Sequence, residues 1–239
     1  MATWKARGIV LKETPVGECD KFITLFLKDR GKVSISAKGA RRAKSKFLAG
    51  TQVFTYSDFV IYDGGRFNAL AQVDIIESFY HLRNNYDTLC YGAYFLELCD
   101  HVILENSPCN LSLLLLLKSL TMLQSSLLPP ALVGLIFEFK FLQINGFAPE
   151  LECCSSCGLE EAVLSYFGTQ GLLCKRCVSG PVHKISEAGI FAMHYILNHD
   201  ITDVFSFNLK ENLLSELSDV SRLFTIAHAG GALKSHAFI

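Results

Sequence analysis

The chain has 239 residues, half of them hydrophobic and 19% charged, with a formal net charge of -1. That composition excludes a disordered chain and leaves room for two domains with a sizeable core. The near-neutral total hides an asymmetry: Lys28 to Lys46 holds eight Lys or Arg and one acid, Asp29, so this segment is +7 and the remainder sums to -8. A local excess of this kind points to a polyanionic partner, nucleic acid or a membrane surface; the plainer alternative is a solvated loop made basic for solubility.

The first eighty residues predict strands. In K-V-S-I-S-A-K (32 to 38), Val33, Ile35 and Ala37 alternate with Ser34 and Ser36, the period of a half-buried strand. Similar runs lie at Trp4 to Lys12, Phe22 to Lys28, Thr51 to Tyr62 and Arg66 to Glu77. Between them stand the turn signals Pro15-Val16-Gly17, Asp29-Arg30-Gly31 and Asp63-Gly64-Gly65. Five strands joined by short hairpins suggest a small closed barrel, with the OB-fold as the natural candidate and an open five-stranded sheet as the alternative. The stretch A-K-G-A-R-R-A-K-S-K-F (37 to 47) then emerges at the rim of that barrel, carrying Lys38, Arg41, Arg42, Lys44 and Lys46.

After Ser78 the period changes. Tyr86 to Ile103 fits a long helix, and Leu111 to Leu123 is apolar nearly all round, which predicts a buried central helix. Pro129-Pro130 opens a third helix running to Asn145-Gly146. Further helices are expected at about Ser186 to Asn198 and Leu209 to Ala229, with Gly230-Gly231 closing the last. The greasiest stretch is interrupted by Lys118, and Glu138 and Lys140 break the next apolar run, so neither is long enough to span a bilayer. No N-terminal apolar stretch has the length of a signal peptide, so the nine cysteines are expected in a reducing compartment, where paired cysteines read as metal ligands.

Cys154, Cys157, Cys174 and Cys177 make a C-x2-C-x16-C-x2-C pattern. Two short knuckles can each offer two thiolates to one tetrahedral ion, and Gly158 permits the tight turn after the first pair. Cys153 with Cys157 would give a C-x3-C pair instead; the matched spacing favours Cys154. Four thiolates suit a closed structural zinc, with iron as the rival ion, and leave no open position for hydrolytic chemistry. Cys19, Cys90, Cys99, Cys109 and Cys153 are expected to be unpaired, and Glu160-Glu161 to be solvated. No phosphate-binding P-loop, G-x-S-x-G, H-E-x-x-H or G-x-G-x-x-G occurs, so no catalytic residues are assigned and no enzyme is expected.

The runs G-I-V-L-K-E-T-P-V-G-E-C-D-K-F-I-T-L-F and D-R-G-K-V-S-I-S-A-K-G-A-R-R-A-K-S-K-F resemble the barrel domain of the bacterial RecO family of DNA repair and recombination mediators. F-A-P-E-L-E-C-C-S-S-C-G and G-L-L-C-K-R-C resemble that family's zinc-binding portion, and A-L-K-S-H-A-F-I its closing tail. The resemblance covers essentially the whole chain. It implies an α+β multidomain protein: an N-terminal five-stranded OB-fold barrel (residues 1-80), then an all-helical domain (81-239) with an inserted four-cysteine zinc-binding module at about 149-182. It also implies binding to single- and double-stranded DNA and annealing of complementary strands. The implied partners are RecR and the single-strand binding protein SSB, so that RecA can load on SSB-coated DNA in the RecFOR pathway. The implied location is the bacterial cytoplasm, at the nucleoid.

Under this reading Arg41 and Arg42 form bidentate phosphate contacts, and Lys38, Lys44 and Lys46 act as mobile point charges. Phe47, Phe54 and Tyr56 are candidate base-stacking residues, with barrel core the equal alternative for Phe54. The acidic SSB tail, apolar at its end, would dock in a leucine-lined groove of the helical part beside Lys118 or Lys140. No membrane and no small-molecule substrate are expected. The second function class is an RNA-binding barrel protein with a zinc ribbon; a metal enzyme is the third.

Overall fold

The computed structural model describes residues 2–65, 68–160, 163–231 and 233–239. The chain divides into two units, Met1–Leu114 and Leu115–Ile239.

In the first unit, apolar alternation does what it predicts. Five strands, β1 (Thr3–Val16), β2 (Asp20–Leu27), β3 (Gly31–Ala37), β4 (Tyr56–Tyr62) and β5 (Asn68–Glu77), close into a barrel of order β1-β2-β3-β5-β4. The pairings are antiparallel except β3 with β5, which run parallel through Ile35–Asn68 and Ser36–Ala69. This closed five-stranded barrel is the OB-fold arrangement expected from the sequence. Val10, Ile23, Leu25, Leu27, Val33, Ile35, Phe59 and Ile61 fill its interior.

Closure depends on β1, which serves two partners. Thr3 to Ile9 pairs with β4 and Gly8 to Val16 with β2, with a bulge between Val10 and Lys12. At the overlap the chain needs Gly8: a Cβ there would collide with the Phe26 carbonyl oxygen. Across the β1–β4 pair, Arg7 donates to both carboxylate oxygens of Asp58, at 2.7 and 2.8 Å. This holds the exposed Asp58 carboxyl below its usual range.

Several strand limits differ from expectation. β1 continues past Lys12 to Val16 and β2 begins at Asp20, because Pro15 and Val16 pair with Lys21 and Asp20, so Pro15 and Val16 of the expected turn lie in the strand and the turn is confined to 17–19. β4 begins at Tyr56 rather than Thr51, because residues 38–55 fold into successive turns. Backbone N–H groups of Arg42, Ser45, Leu48 and Gln52 each donate to the carbonyl three residues back, and Phe54 takes a left-handed φ of 78°. The start of the fifth run, Arg66 and Phe67, lies outside the described residues.

A short 3-10 turn, Tyr80–Asn84, follows the barrel and leads to helix α1 (Tyr86–Val102). Asn85 caps α1 by accepting from the N–H groups of Asp87 and Thr88. The chain then returns to the β2–β3 hairpin. There Asn110 and Asp29 exchange hydrogen bonds, and the Ser107 carbonyl sits where a Cβ on Gly31 (φ 69°) would be.

Helix α2 (Asn110–Ser125) is not buried all round as predicted. Leu113, Leu115, Leu116 and Leu120 are buried, whereas Leu111 and Leu114 are exposed. The second unit is centred on α3 (Pro130–Ile144), which starts and stops at the predicted Pro and Asn-Gly signals and packs on α4 (Glu187–Asn198) and α5 (Glu211–His228). Its apolar residues are buried, and so are Glu138 and Lys140, the two charges that break its sequence. Each has a partner: the Ser221 hydroxyl donates to the Glu138 carboxylate, and the Lys140 ammonium donates to the Leu197 carbonyl at 2.8 Å and to Gln143 at 3.1 Å. Burial lowers the Lys140 pKa.

Between α3 and α4 lies a sheet of order β7-β6-β8, formed by β6 (Leu164–Phe167), β7 (Leu172–Cys174) and β8 (His183–Lys184). Among the described residues no helix is long and apolar enough to cross a membrane.

The fit at Gly8 gives a stability expectation. Gly8→Ala should cost about 1–3 kcal/mol, because the neighbour it meets is backbone and cannot rotate away. Trp4, the only tryptophan, lies in the affected strand, so its fluorescence should report a lower urea midpoint.

Candidate nucleic-acid interface and metal centre

The +7 segment does not stay together in space. Strand β3 runs through it, and seven residues of strand span roughly 20 Å. At one end of β3, Arg30 stacks over the Trp4 ring at 4.2 Å and Lys32 pairs with Asp100 at 3.3 Å. Arg30 borders a mixed-charge region: a cleft of ≈ 940 Å³ is lined by Lys5, Arg7, Lys28 and Arg30 but also by Asp29, Asp58 and Asp74. At the other end, Lys38, Arg41, Arg42, Lys44 and Lys46 are all exposed, in the turns that follow β3.

A loop without regular structure and with five like charges needs anchors, and strand β2 supplies them. The Asp20 carboxylate accepts from the Gly39 N–H at 2.7 Å. The Arg41 N–H donates to the Cys19 carbonyl at 2.9 Å, and its guanidinium to the Gly17 carbonyl at 2.8 Å. At the far end, the Lys21 ammonium donates to the Thr51 carbonyl at 2.9 Å and to the Glu13 carboxylate. Lys21 is only 5% exposed. The basic loop is therefore fixed beside the β1–β2 hairpin, with its cations turned to solvent.

The expected stacking residues are placed differently. Phe54 is barrel core, 3% exposed. Phe47 is half-buried against the barrel interior, with the Lys46 ammonium 5.0 Å from its ring centre, and Tyr56 is half-buried in β4. Asp20, Lys21 and Arg83 were not singled out from the sequence. Lys21 carried a readable signal: it shares strand parity with Ile23, Leu25 and Leu27, so alternation aims it at the core, where a charge requires a partner. Arg83 lies beyond the fifth strand. It donates to the Val53 carbonyl at 3.1 Å and, with Arg41, Lys21, Leu48 and Gln52, lines a cleft of ≈ 550 Å³.

In the second unit the structure brings together Cys154, Cys157, Cys174 and Cys177, with their sulfur atoms all within 4.8 Å of one another. Each pair sits on a tight knuckle: the Gly158 N–H donates to the Cys154 carbonyl at 2.8 Å, and the Cys177 N–H to the Cys174 carbonyl at 2.9 Å. Gly158 has the left-handed φ of 70° that the turn requires. Backbone N–H groups of Cys174 and Cys157 lower the Cys154 pKa to about 6, favouring the thiolate that binds metal. Hydrogen bonding among the clustered thiols, with Cys157 first, raises Cys177 to about 12.

A set of four sulfur donors at this spacing suits a tetrahedral soft ion and is compatible with zinc. Cys153 lies outside the cluster, its thiol raised by burial and by Glu150. Cys19, Cys90, Cys99 and Cys109 form no disulfide. Glu160 is exposed, and Glu161 lies outside the described residues. The module is held to α5 by Phe167 against Phe224 (5.9 Å) and by His228, bonded to the Thr169 carbonyl at 2.7 Å.

Comparison with known proteins agrees with this layout. The family model described as Recombination protein O N terminal matches residues 1–79, and that described as Recombination protein O C terminal matches residues 83–237. A DNA repair protein RecO from Acetivibrio thermocellus is 40% identical over 224 residues, covering 92% of this chain and 89% of the relative. Proteins of the same name from Alkaliphilus metalliredigens and Symbiobacterium thermophilum are 32% and 31% identical, covering 94% and 100% of this chain and 93% and 97% of theirs. The chain is thus one of the proteins of DNA repair and recombination. It belongs to the RecO family.

The anchor on Lys21 is testable. Lys21→Met keeps the apolar stem but loses the hydrogen bonds to Thr51 and Glu13, and should destabilise the barrel by about 2 kcal/mol. Hydrogen exchange should show faster exchange at residues 47–55, while the strand β4 amides stay protected.

Proposed function

We propose that the protein is a non-enzymatic recombination mediator. It binds single- and double-stranded DNA on the basic loop, anneals complementary strands and, with RecR, helps RecA load on SSB-coated DNA. The observation that carries this reading is the loop itself: five exposed cations, pinned at both ends to the wall of an OB barrel. Neutralising several phosphates releases counterions and lets two strands approach without ATP. Lys38, Arg41, Arg42, Lys44 and Lys46 touch phosphates, not base edges, so sequence preference is low. The acidic SSB tail docks on the helical part, with Lys118 as its cationic partner, since Lys140 is buried and committed to Leu197. The protein acts in the cytoplasm at the nucleoid. Its barrel domain ends near residue 80, a reading supported by the break between the matched family regions, and α1 packs with the barrel in the first compact unit, Met1–Leu114.

One structural zinc is held by Cys154, Cys157, Cys174 and Cys177. Bound there, it ties the two knuckles and contributes folding energy to the module. The four cysteines hold it closed, with no site for water.

Annealing of SSB-coated complementary strands should be accelerated by the wild-type protein. Four or five single-strand phosphate contacts imply a log-log salt slope of roughly -3. Replacing Arg41, Arg42 and Lys44 together by Ala should flatten that slope and remove annealing; wild-type slope and affinity in the triple variant would refute the reading. Competition between RNA and single-stranded DNA separates it from an RNA-binding role.

For the metal, Cys154→Ser should lose zinc by elemental analysis and loosen the module. Cys153→Ser should keep it. Zinc lost from the second variant and retained by the first would reverse the register.

A further inference from the structure

We infer that the barrel unit carries a base-stacking subsite on Tyr80, braced by Arg83, at the edge of the basic loop. This rests on the DNA-binding reading and adds to it the place where an unstacked base of a single strand is held.

The aromatic residues inside the basic region leave the role open, because Phe54 is core and Phe47 and Tyr56 are half-buried. Tyr80 is 59% exposed. It opens the 3-10 turn that follows the barrel, and that turn is anchored on both sides of it by the buried Phe79 and Leu82. Phe79, the residue before the turn, has a left-handed φ of 48° and a buried ring, while Tyr80 beside it is exposed. The ring is thus presented on a fixed support.

Arg83 connects this ring to the loop. Its guanidinium lies 5.6 Å from the Tyr80 ring centre and 5.4 Å from that of the buried Phe54. One of its nitrogens donates to the Val53 carbonyl, in the segment that closes the loop. Arg41 and Arg83 line the same ≈ 550 Å³ cleft, with Leu48, Val53 and Pro15 as its apolar wall. A strand whose phosphates follow the loop cations reaches Arg83 across this cleft, and its next base meets Tyr80. Stacking on an aromatic face tolerates any base, because every base has a π-face, and a cation at the ring strengthens such a platform. A duplex keeps its bases stacked internally and gains only the phosphate contacts. The subsite therefore favours single strands over duplex.

The test uses the full-length protein, a mixed-sequence single strand and a duplex of equal length, with binding followed by fluorescence anisotropy. Tyr80→Ala should weaken single-strand binding roughly 10-fold, leave duplex binding unchanged and leave the salt slope unchanged, since no charge is removed. Tyr80→Phe should bind as wild type. Arg83→Gln should reduce the single-strand salt slope by about 0.7. Undiminished single-strand binding by Tyr80→Ala, or equal losses on single strand and duplex, overturns the inference. If Tyr80→Ala is silent while the Arg41, Arg42 and Lys44 triple variant fails to bind, only the stacking subsite falls. If the triple variant binds as wild type, the DNA-binding surface itself is misplaced.

Discussion

The interaction on which the interface depends is the buried ammonium of Lys21. The basic loop has no helix or sheet ladder to hold it, and its five cations repel one another. Left to turn hydrogen bonds alone it would fray, and any ligand of the loop would have to bear the entropy of ordering it. Lys21 reaches from a central barrel strand to the Thr51 carbonyl, and Glu13 balances its charge. Asp20, its neighbour, takes the Gly39 N–H at the loop's other end. Two adjacent residues of one strand thus fix both ends of the segment, because successive side chains leave a strand on opposite faces.

The same logic explains why the cations that are close in sequence divide in space. A strand is stiff and long relative to the Debye length of about 8 Å at physiological ionic strength. Lys28, Arg30 and Lys32 are therefore electrostatically remote from Lys38 to Lys46. The first group is interleaved with acids: Lys32 faces Asp100, and Lys28 and Arg30 share a cleft with Asp29, Asp58 and Asp74. The second group has Asp20 near its base, and that carboxylate accepts from a backbone N–H rather than from one of the five cations. Fixed geometry with unneutralised positive charge is an arrangement that suits a polyanion.

Much of this was legible in the sequence. Strand parity placed Val33, Ile35 and Ala37 inside the barrel, and paired spacing chose Cys154 over Cys153 for the thiol cluster. The Pro129-Pro130 and Asn145-Gly146 signals bounded α3. What could not be read depended on long-range contacts. Thr51 to Phe54 has strand-like composition, yet the turns and the left-handed Phe54 win because they bury its ring and bring Thr51 to Lys21. Five consecutive leucines point to every side of a helix, so composition alone gave no reason to leave Leu111 and Leu114 outside. Glu138 and Lys140 interrupt an apolar run, and nothing local shows what satisfies them, because their partners Ser221 and Leu197 lie far along the chain. Tyr80 and Arg83 flank the expected boundary between residues 80 and 81, where neither strand nor helix periodicity assigns a role.

Glu138 and Lys140 also show how the second unit supports the small cysteine module. An ion pair or buried charge adds little net stability over an apolar core, but a single hydrogen-bonded partner penalises any misregistered packing. The buried charges on α3 accordingly specify the positions of α5, through Ser221, and of the end of α4, through Leu197. Helix α5 then presents Phe224 between Phe139 of α3 and Phe167 of the cysteine module, with His228 one turn further on to take the Thr169 carbonyl. A three-stranded sheet with strands of two to four residues builds only a small core, here Cys154, Leu173 and Cys174 with Leu164, Tyr166 and Val182 packed on them. Its order comes from two sources, the cysteine cluster at one end and this aromatic seat on α5 at the other. Loss of either leaves the module tethered at one end only, so its order depends on four correctly spaced cysteines.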